Sequence, residues 1–303
     1  MLDHRLPGVI GRTDLYREVN ELNARSGREI EAASKASPPV VLTIAGFDPS
    51  SGAGITADLK VFAAHHLYGL SAITALTVQS TQGVKRTEAV HAETLEETLR
   101  CLAEDVTIAG VKIGMLATAG NVSVVRRFLE SASILPGCVV LDPILRSSSG
   151  RELLDAEGVK ALRSELLGLV GWITPNREEL AVLLKESTLD PDRIPFAAEK
   201  LQRDFSALSL VVTGGDANPP HDFLRTAGGE EHWFPGERIE TTATHGTGCT
   251  FSSALLANLI AGKSGLEAVQ SAKDYVREAM QAAYRIGKGK GPLHHLYRFG
   301  SAK

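Results

Sequence analysis

No segment of the 303-residue chain reaches the roughly 18 consecutive apolar residues that a membrane span requires. The opening stretch MLDHRLPGVIGR lacks the apolar centre of a secretory signal. Cysteine is scarce: Cys101, Cys138 and Cys249 are odd in number and far apart, a pattern that fits neither a disulfide framework nor a zinc site. A reducing cytoplasm is the expected location. No basic block and no basic–aromatic pattern occurs, and the formal net charge is only −4 with both signs interspersed, so neither nucleic acid nor a membrane surface is an expected partner. GxxxxGK[ST] is missing, and no GxGxxG follows a strand-like run, which removes support for a P-loop NTPase and for a Rossmann dehydrogenase. HExxH and GxSxG are also missing. The His65–His66 and His294–His295 pairs lack metal-ligand spacing and read as surface or packing residues, and GKGKGP near the end reads as a flexible turn.

What is present is an ordinary globular mix, 43% hydrophobic and 22% charged, in a chain long enough to bury a core without staples. Residues 1–39 stand apart as a polar arm with a short helix expected around Leu15–Leu22, closed by Pro38–Pro39. From Val40 the texture changes. Buried-type apolar runs (VVLTIAG, LSAITALTVQS, GVKIGML, CVVLDP, GWITPN, LSLVVTGG) alternate with amphipathic stretches at helical spacing, beginning with Ile55, Leu59, Phe62 and Ala63. A hairpin is expected to turn at Gly228–Gly229. Two helices close the pattern: TFSSALLANLIAG, apolar nearly all round and so buried, and a second from about Leu266 to Ile286. Repeated strand–helix alternation predicts an α/β fold: a central, mostly parallel sheet with helices on both faces, one domain over residues 40–303.

Such sheets bind ligands beyond the carboxyl ends of their strands. The segments that follow the strands here are GFDPSSGAG, QSTQG, GML, DPILRSSSG, TPNREE and TGGD, rich in small, polar and acidic residues. Asp48 is either an Asx-turn residue before Pro49 or a ligand contact. The sharpest segment is THGTGCTFSSALLANL, Thr244–Leu259. Gly246 and Gly248 leave room against the backbone, and a helix starts directly after them, so its unpaired amides and dipole form a site for an anion. Cys249 stands at that helix start, where a thiol can have a depressed pKa and act as a base or as a polarised donor. The alternative is a glycine turn beside a small buried cysteine.

The run VLTIAGFDPSSGAGITADLKVFAAHHLYGLSAITALTVQSTQGV closely resembles the opening of hydroxymethylpyrimidine phosphate kinases, and VKIGML, VVLDPIL, ITPNREE, VVTGG, THGTGCTFSSALLA and GKGKGPLHH follow in the same order. The resemblance covers roughly Val40–Tyr297. It implies a ribokinase-like fold, a homo-oligomer, and ATP- and Mg²⁺-dependent phosphorylation of 4-amino-5-hydroxymethyl-2-methylpyrimidine and then of its monophosphate, in thiamine biosynthesis. Gly46, Asp58, Gln79 and Met115 match the family's pyrimidine pocket; Met115 reads equally well as plain core. Gly246, Thr247 and Gly248 match its anion hole, and Cys249 its base. Asn176 and Glu179 match the NxxE motif beside Mg²⁺ and phosphate, with Glu179 reaching the metal directly or through water and Asp142 as a second metal-side carboxylate. Gly214 and Gly215 match the nucleotide-side glycine pair, and Thr213 directly before them is counted with the nucleotide-binding residues by its position.

Three departures share one direction. Ser148, Thr213 and Thr242 stand where the family carries lysines, and Arg151 where it carries an aspartate. A lysine beside a phosphate contributes about 1–3 kcal/mol, so compensation is expected, with Arg146, Arg151 and Lys112 as candidates. Three readings follow: a pyrimidine kinase, a pyrimidine-binding protein on a kinase fold with little or no phosphoryl transfer, and a pyridoxal or pyridoxine kinase. Product formation with Mg-ATP separates the first from the second, and pyridoxal as substrate separates the third.

Overall fold

The computed structural model describes residues 37–147, 150–215 and 217–300. Most of the expected arm (residues 1–36) and the lysine-replacing Ser148 lie outside the described residues.

A nine-stranded sheet organises the chain, in the order β3-β2-β1-β4-β5-β6-β7-β8-β9. These strands are β1 (Val40–Phe47), β2 (Tyr68–Ser80), β3 (Gly83–Ala89), β4 (Gly110–Ile113), β5 (Val139–Leu141), β6 (Trp172–Ile173), β7 (Ser209–Val212), β8 (Asp222–Arg225) and β9 (Glu231–Phe234). From β2 through β7 every pairing is parallel. β3 at one edge and β8 and β9 at the other are antiparallel. The inner strands are apolar on both sides, as a sheet covered on both faces demands. Alternate residues face different cores. Leu42, Ile44, Val111, Ile113, Leu141, Leu210 and Val212 join one cluster, while Val41, Val140 and Val211 join the other.

The first cluster is covered by α2 (Ala92–Asp105), α3 (Ala119–Ser131), α4 (Ala156–Ala161, running on into a π-type turn) and α6 (Ile194–Asp204). The second is covered by α1 (Gly54–Ala64), α7 (Thr247–Ile260) and α8 (Gly265–Gln281). A short helix, α5 (Arg177–Leu183), follows β6. The helix expected to be apolar all round is α7, whose residues from Cys249 to Asn258 are all buried. It packs close to the sheet over Gly110, where a side chain would meet Leu256 and Ile260.

The parallel α/β architecture and the hairpin at Gly228–Gly229 agree with expectation. Two differences have physical causes. β3 was not foreseen: GVKRTEA has no apolar alternation because it is an edge strand, and β2 supplies its order through an antiparallel ladder. The last helix ends at Gln281 rather than Ile286, because the chain turns back so that Gly291 pairs with Thr242 and His245. The expected turn GKGKGP is anchored at two points, Gly289 donating its amide to Thr81 Oγ1 and Gly291 lying buried, while Gly287, Lys288 and Lys290 stay exposed. Among the described residues no helix is long and apolar enough to cross a membrane.

Candidate active site

In an open parallel sheet, neighbouring strands whose connections leave in opposite directions part at their carboxyl ends and leave a crevice. Here that point lies between β1 and β4. Gly46, near the end of β1, and Met115, just past β4, meet across it: a Cβ on Gly46 would stand 3.0 Å from the Met115 sulfur. Met115 is buried, and its carbonyl accepts from Thr74. The two residues form an apolar floor. At its rim Thr77 donates from Oγ1 to the Phe47 carbonyl (3.0 Å), and the Gln79 amide lies between Thr77 Oγ1 (3.2 Å) and His245 Nε2 (3.0 Å).

Above the floor the chain before α7 closes on the loop after β1. Gly246, the residue capping α7, has φ +86°, and a Cβ there would sit 1.8 Å from the Gly52 carbonyl oxygen. Only glycine allows that approach. α7 starts without a side-chain cap and without an acid in its first turn, as α1 and α6 do, while Thr118, Asp155, Asn176 and Ser264 cap α3, α4, α5 and α8; among the uncapped starts, the residues Gly246–Cys249 line the cleft described below. The first amides of α7 therefore remain available to an external acceptor at the positive end of the helix dipole.

Asp48 knots the facing loop. Oδ1 accepts from the Ser50 amide and hydroxyl (2.8 and 2.7 Å), and Oδ2 accepts from the amides of Gly52 and Ala53 (3.2 and 2.9 Å) and meets His245 Nε2 at 2.7 Å. Burial alone would raise its pKa, but the bonds from His245 and Ser50 outweigh it and hold Asp48 at about 2. The Asx-type turn expected of this residue is formed, and Asp48 also lines the cleft described below.

Cys249 is placed at the start of α7 as expected, and its chemistry differs. The thiol is 5% exposed. Burial pushes it up to about 12; Lys112 opposes the rise, and the carboxylates of Asp58 and Asp142 add to it. The direction is opposite to the expected depression: desolvation outweighs the pull of Lys112 and of the Gly54 backbone. Asp58 is a second correction. It is wholly buried, bonded by Thr43 Oγ1 (2.6 Å), Ser253 Oγ (2.8 Å) and Lys112 Nζ (3.0 and 3.1 Å), and it does not reach the pyrimidine-side floor. Lys112 is likewise 0% exposed and held in this ion pair, so it cannot replace a missing phosphate lysine. The pair forms a charged footing behind Cys249.

Two further carboxylates meet beyond Cys249. Asp142, after β5, is buried and accepts from Ser252 of α7 (3.1 Å). Glu179 and Asn176 form a capping box on α5: Asn176 Oδ1 accepts from the Glu179 amide, and Glu179 Oε2 accepts from the Asn176 amide, both at 2.9 Å. Burial raises Glu179 to about 8, with the Asp142 charge adding to the rise; burial also raises Asp142 to about 6, against the pull of Lys112. A buried carboxylate, Asp142, whose charge raises the half-buried Glu179 beside it forms with that residue a donor set for a divalent cation. Among the described residues no cluster of three acidic, His or Cys groups exists, and Mg²⁺ needs only one or two carboxylates plus phosphate oxygens and water.

Thr213 follows β7 and donates its amide to the Pro175 carbonyl, beside Asn176. The Gly214 amide donates to Asp222 Oδ1 (2.6 Å), whose other oxygen pairs with Lys273 of α8 (2.6 Å). Gly215 has φ +52° and open space beside it. One cleft joins all these parts, lined by Gly46, Gln79 and Met115 at one end and by Asn176, Glu179 and Thr213–Gly215 at the other, with Gly246–Cys249 and Asp142 between. Its volume, about 2570 Å³, exceeds the roughly 300–1,000 Å³ of a single-ligand pocket and gives room for two ligands end to end. Arg238, Lys273, Arg277 and Lys290 line it, cations not foreseen as substitutes for the absent lysines. Arg146 also lines it, exposed and 3.7 Å from Glu152.

The sequence reading missed His245, Thr77 and Ser252. The signal for His245 was its place directly before Gly246. The serines of α7 carried one too, since hydroxyls inside a buried helix need partners.

The family profile described as Phosphomethylpyrimidine kinase matches residues 48–294. A hydroxymethylpyrimidine/phosphomethylpyrimidine kinase of Aquifex aeolicus is 39% identical over 252 residues, covering 82% of this chain and 97% of that protein. The phosphomethylpyrimidine kinase of Clostridium difficile 630 superposes with a TM-score of 0.68 at 31% identity, over 80% of this chain and 99% of that one. An ADP complex of Bacillus subtilis pyridoxal kinase superposes with a TM-score of 0.77 at 30% identity, over 87% and 100%.

Proposed function

The chain belongs to the phosphomethylpyrimidine kinase family, and on that footing we propose that it transfers the γ-phosphoryl group of ATP to the hydroxymethyl oxygen of 4-amino-5-hydroxymethyl-2-methylpyrimidine and then to the resulting monophosphate, for thiamine biosynthesis. The observation that carries this reading is the uncapped start of α7, which lies between an apolar, amide-edged floor and a glycine-lined arm of the same cleft.

The pyrimidine lies over Gly46 and Met115 with its amino edge toward Gln79, and its hydroxymethyl group reaches Cys249. The triphosphate extends from Thr213–Gly215, so that the transferring group meets the amides of Thr247 and Gly248. Phosphoryl transfer passes through a loose transition state, and in-line placement and charge neutralisation do most of the work. Gly246, with φ +86°, aims the amides. Cys249 is protonated at rest; it acts as base only after its thiol proton has passed to water, and the thiolate then takes up the hydroxymethyl proton late, when the phosphoryl group has already drawn charge from that oxygen. Asp142 and Glu179 would hold Mg²⁺, which when bound neutralises the polyphosphate. Self-association belongs to the same reading, and gel filtration measures it.

Purified full-length chain with Mg-ATP is expected to convert the pyrimidine to mono- and diphosphate, followed by ADP release and mass spectrometry. Cys249→Ala is expected to lower kcat about 10²–10³-fold. Phosphorylation of pyridoxal in preference to the pyrimidine would move the substrate to the B6 vitamers. Ligand binding without any product would refute phosphoryl transfer.

A further inference from the structure

The aminopyrimidine reading of the cleft leaves one question of polarity. A glutamine amide has two ends of nearly equal shape, and the chemistry of its partners decides which is oxygen and which is nitrogen. With Nε2 toward His245 and Oε1 toward Thr77, both ends of Gln79 conflict with their surroundings.

At the His245 end, Asp48 accepts from four donors besides the ring: the amides of Ser50, Gly52 and Ala53 and the Ser50 hydroxyl. Both of its oxygens act as acceptors, so it is a carboxylate. His245 Nε2, 2.7 Å from Oδ2, must therefore carry a hydrogen; a bare lone pair there would face an anion. A second N–H donor 3.0 Å from that same Nε2 finds nothing to donate to. At the other end, the Thr77 hydroxyl lies 3.0 Å from the Phe47 carbonyl, which can only accept. That shorter contact takes the hydroxyl's one hydrogen, so the Gln79 atom 3.2 Å away has to supply a hydrogen of its own.

Both ends independently require the same reversal. We infer that Asp48, His245 and Thr77 are positioning residues that hold the Gln79 amide with its oxygen toward His245 and its nitrogen toward Thr77, and thereby fix the donor–acceptor polarity the site presents to its substrate. The imidazole N–H is shared between Asp48 and the Gln79 oxygen. One lone pair of that oxygen and one amide hydrogen remain for the ligand, in a set order. An edge carrying an amino donor beside a ring-nitrogen acceptor pairs with both. The 4-oxo analogue of the pyrimidine presents the opposite order, a carbonyl acceptor beside an N–H donor. Only an amide free to turn over accommodates it. Selection for the amino edge thus depends on residues that need not touch the substrate.

The test compares kcat/KM for the 4-amino substrate with that for its 4-oxo analogue, using full-length wild type and three variants, each checked by melting temperature. Wild type is expected to prefer the amino compound on the order of 10³-fold or more, since a wrong edge leaves two buried polar groups unpaired. H245F removes the N–H, and the preference is expected to fall at least about tenfold, chiefly through KM for the amino compound. H245Q returns an amide N–H near the Nε2 position and is expected to restore most of the preference. T77V, close in shape to threonine, releases the other end and is expected to weaken the preference even where H245F does not fold. Retention of the wild-type preference by folded H245F and T77V would overturn the inference while leaving the kinase reading intact. Equal loss in H245F and H245Q would overturn it too. If wild type phosphorylates neither compound the kinase reading fails, and equilibrium binding of the same two ligands to the same variants still decides the polarity.

Discussion

The ion pair behind the site offers a quantitative test of how the fold supports the chemistry. Lys112 and Asp58 are both 0% exposed, with Nζ 3.0 and 3.1 Å from the two carboxylate oxygens. Lys112→Met leaves Asp58 with its bonds from Thr43 and Ser253 and removes its counter-charge. Breaking one side of a buried pair costs about 3–5 kcal/mol, because the remaining ion stays desolvated. For a chain of this size, each kcal/mol lowers Tm by about 2 °C, which predicts a fall of roughly 6–10 °C. Lys112→Met/Asp58→Asn removes both charges and keeps a polar group for Thr43 and Ser253. It should recover most of the loss, so that its cost falls well short of the sum of the two single variants in a double-mutant cycle. Urea unfolding followed by the fluorescence of Trp172 and Trp233 measures all four proteins. The double variant also restores the fold without the ammonium that favours the charged forms of Cys249 and Asp142. Asp58→Asn removes the opposing carboxylate as well, so any remaining loss of kcat measures the net electrostatic contribution of the pair. A Lys112→Met protein within 1 kcal/mol of wild type, or a double variant no more stable than the single one, would refute the reasoning.

Two further predictions concern titration. Asp142 and Glu179 have folded pKa values of about 6 and 8, above their ordinary carboxylate values, so across that range the folded state binds more protons than the unfolded one. Their contribution is complete below their unfolded pKa values and is lost as pH rises through the folded ones. Above pH ~6.5, where the opposite slope of buried His295, held at about 4, has ended, the Tm of the chelator-treated protein should fall toward pH ~8.5. Mg²⁺ should raise Tm more at the upper end, and Glu179→Gln should flatten the slope. A slope in Glu179→Gln equal to wild type contradicts the assignment. In the second, Cys249 at about 12 has a thiolate fraction on the order of 10⁻⁴ at pH 8, so iodoacetamide should modify exposed Cys101 first by on the order of 10³-fold. Peptide mapping should find Cys249 labelling about tenfold faster per pH unit up to pH ~10; a plateau near pH 8 would show a thiol of ordinary acidity.

The main architecture was legible because buried parallel strands are short apolar runs and their helices repeat at 3.6 residues. β3 was not, since GVKRTEA is ordered by its neighbour rather than by its own pattern. The glycine turn before α7 was legible because its cause is local: glycines directly before a helix start. Asp58 and Lys112 were misread because their meaning is mutual and they stand 54 positions apart in the chain. A lysine within the apolar strand GVKI signals a hidden partner without saying which. His245 went unread for the same reason, its partners Asp48 and Gln79 lying 197 and 166 positions away. The pKa of Cys249 was misjudged because position at a helix start is visible in a sequence and depth of burial is not.

That depth has a consequence for damage. Peroxide and related oxidants attack thiolates that solvent can reach, carrying them through sulfenic acid toward irreversible forms. Cys101 lies at the surface and Cys138 is half-covered, while Cys249 is enclosed and protonated. Under oxidative stress the outlying sulfurs would be consumed first, and the sulfur at the start of α7 would outlast them without a dedicated repair system.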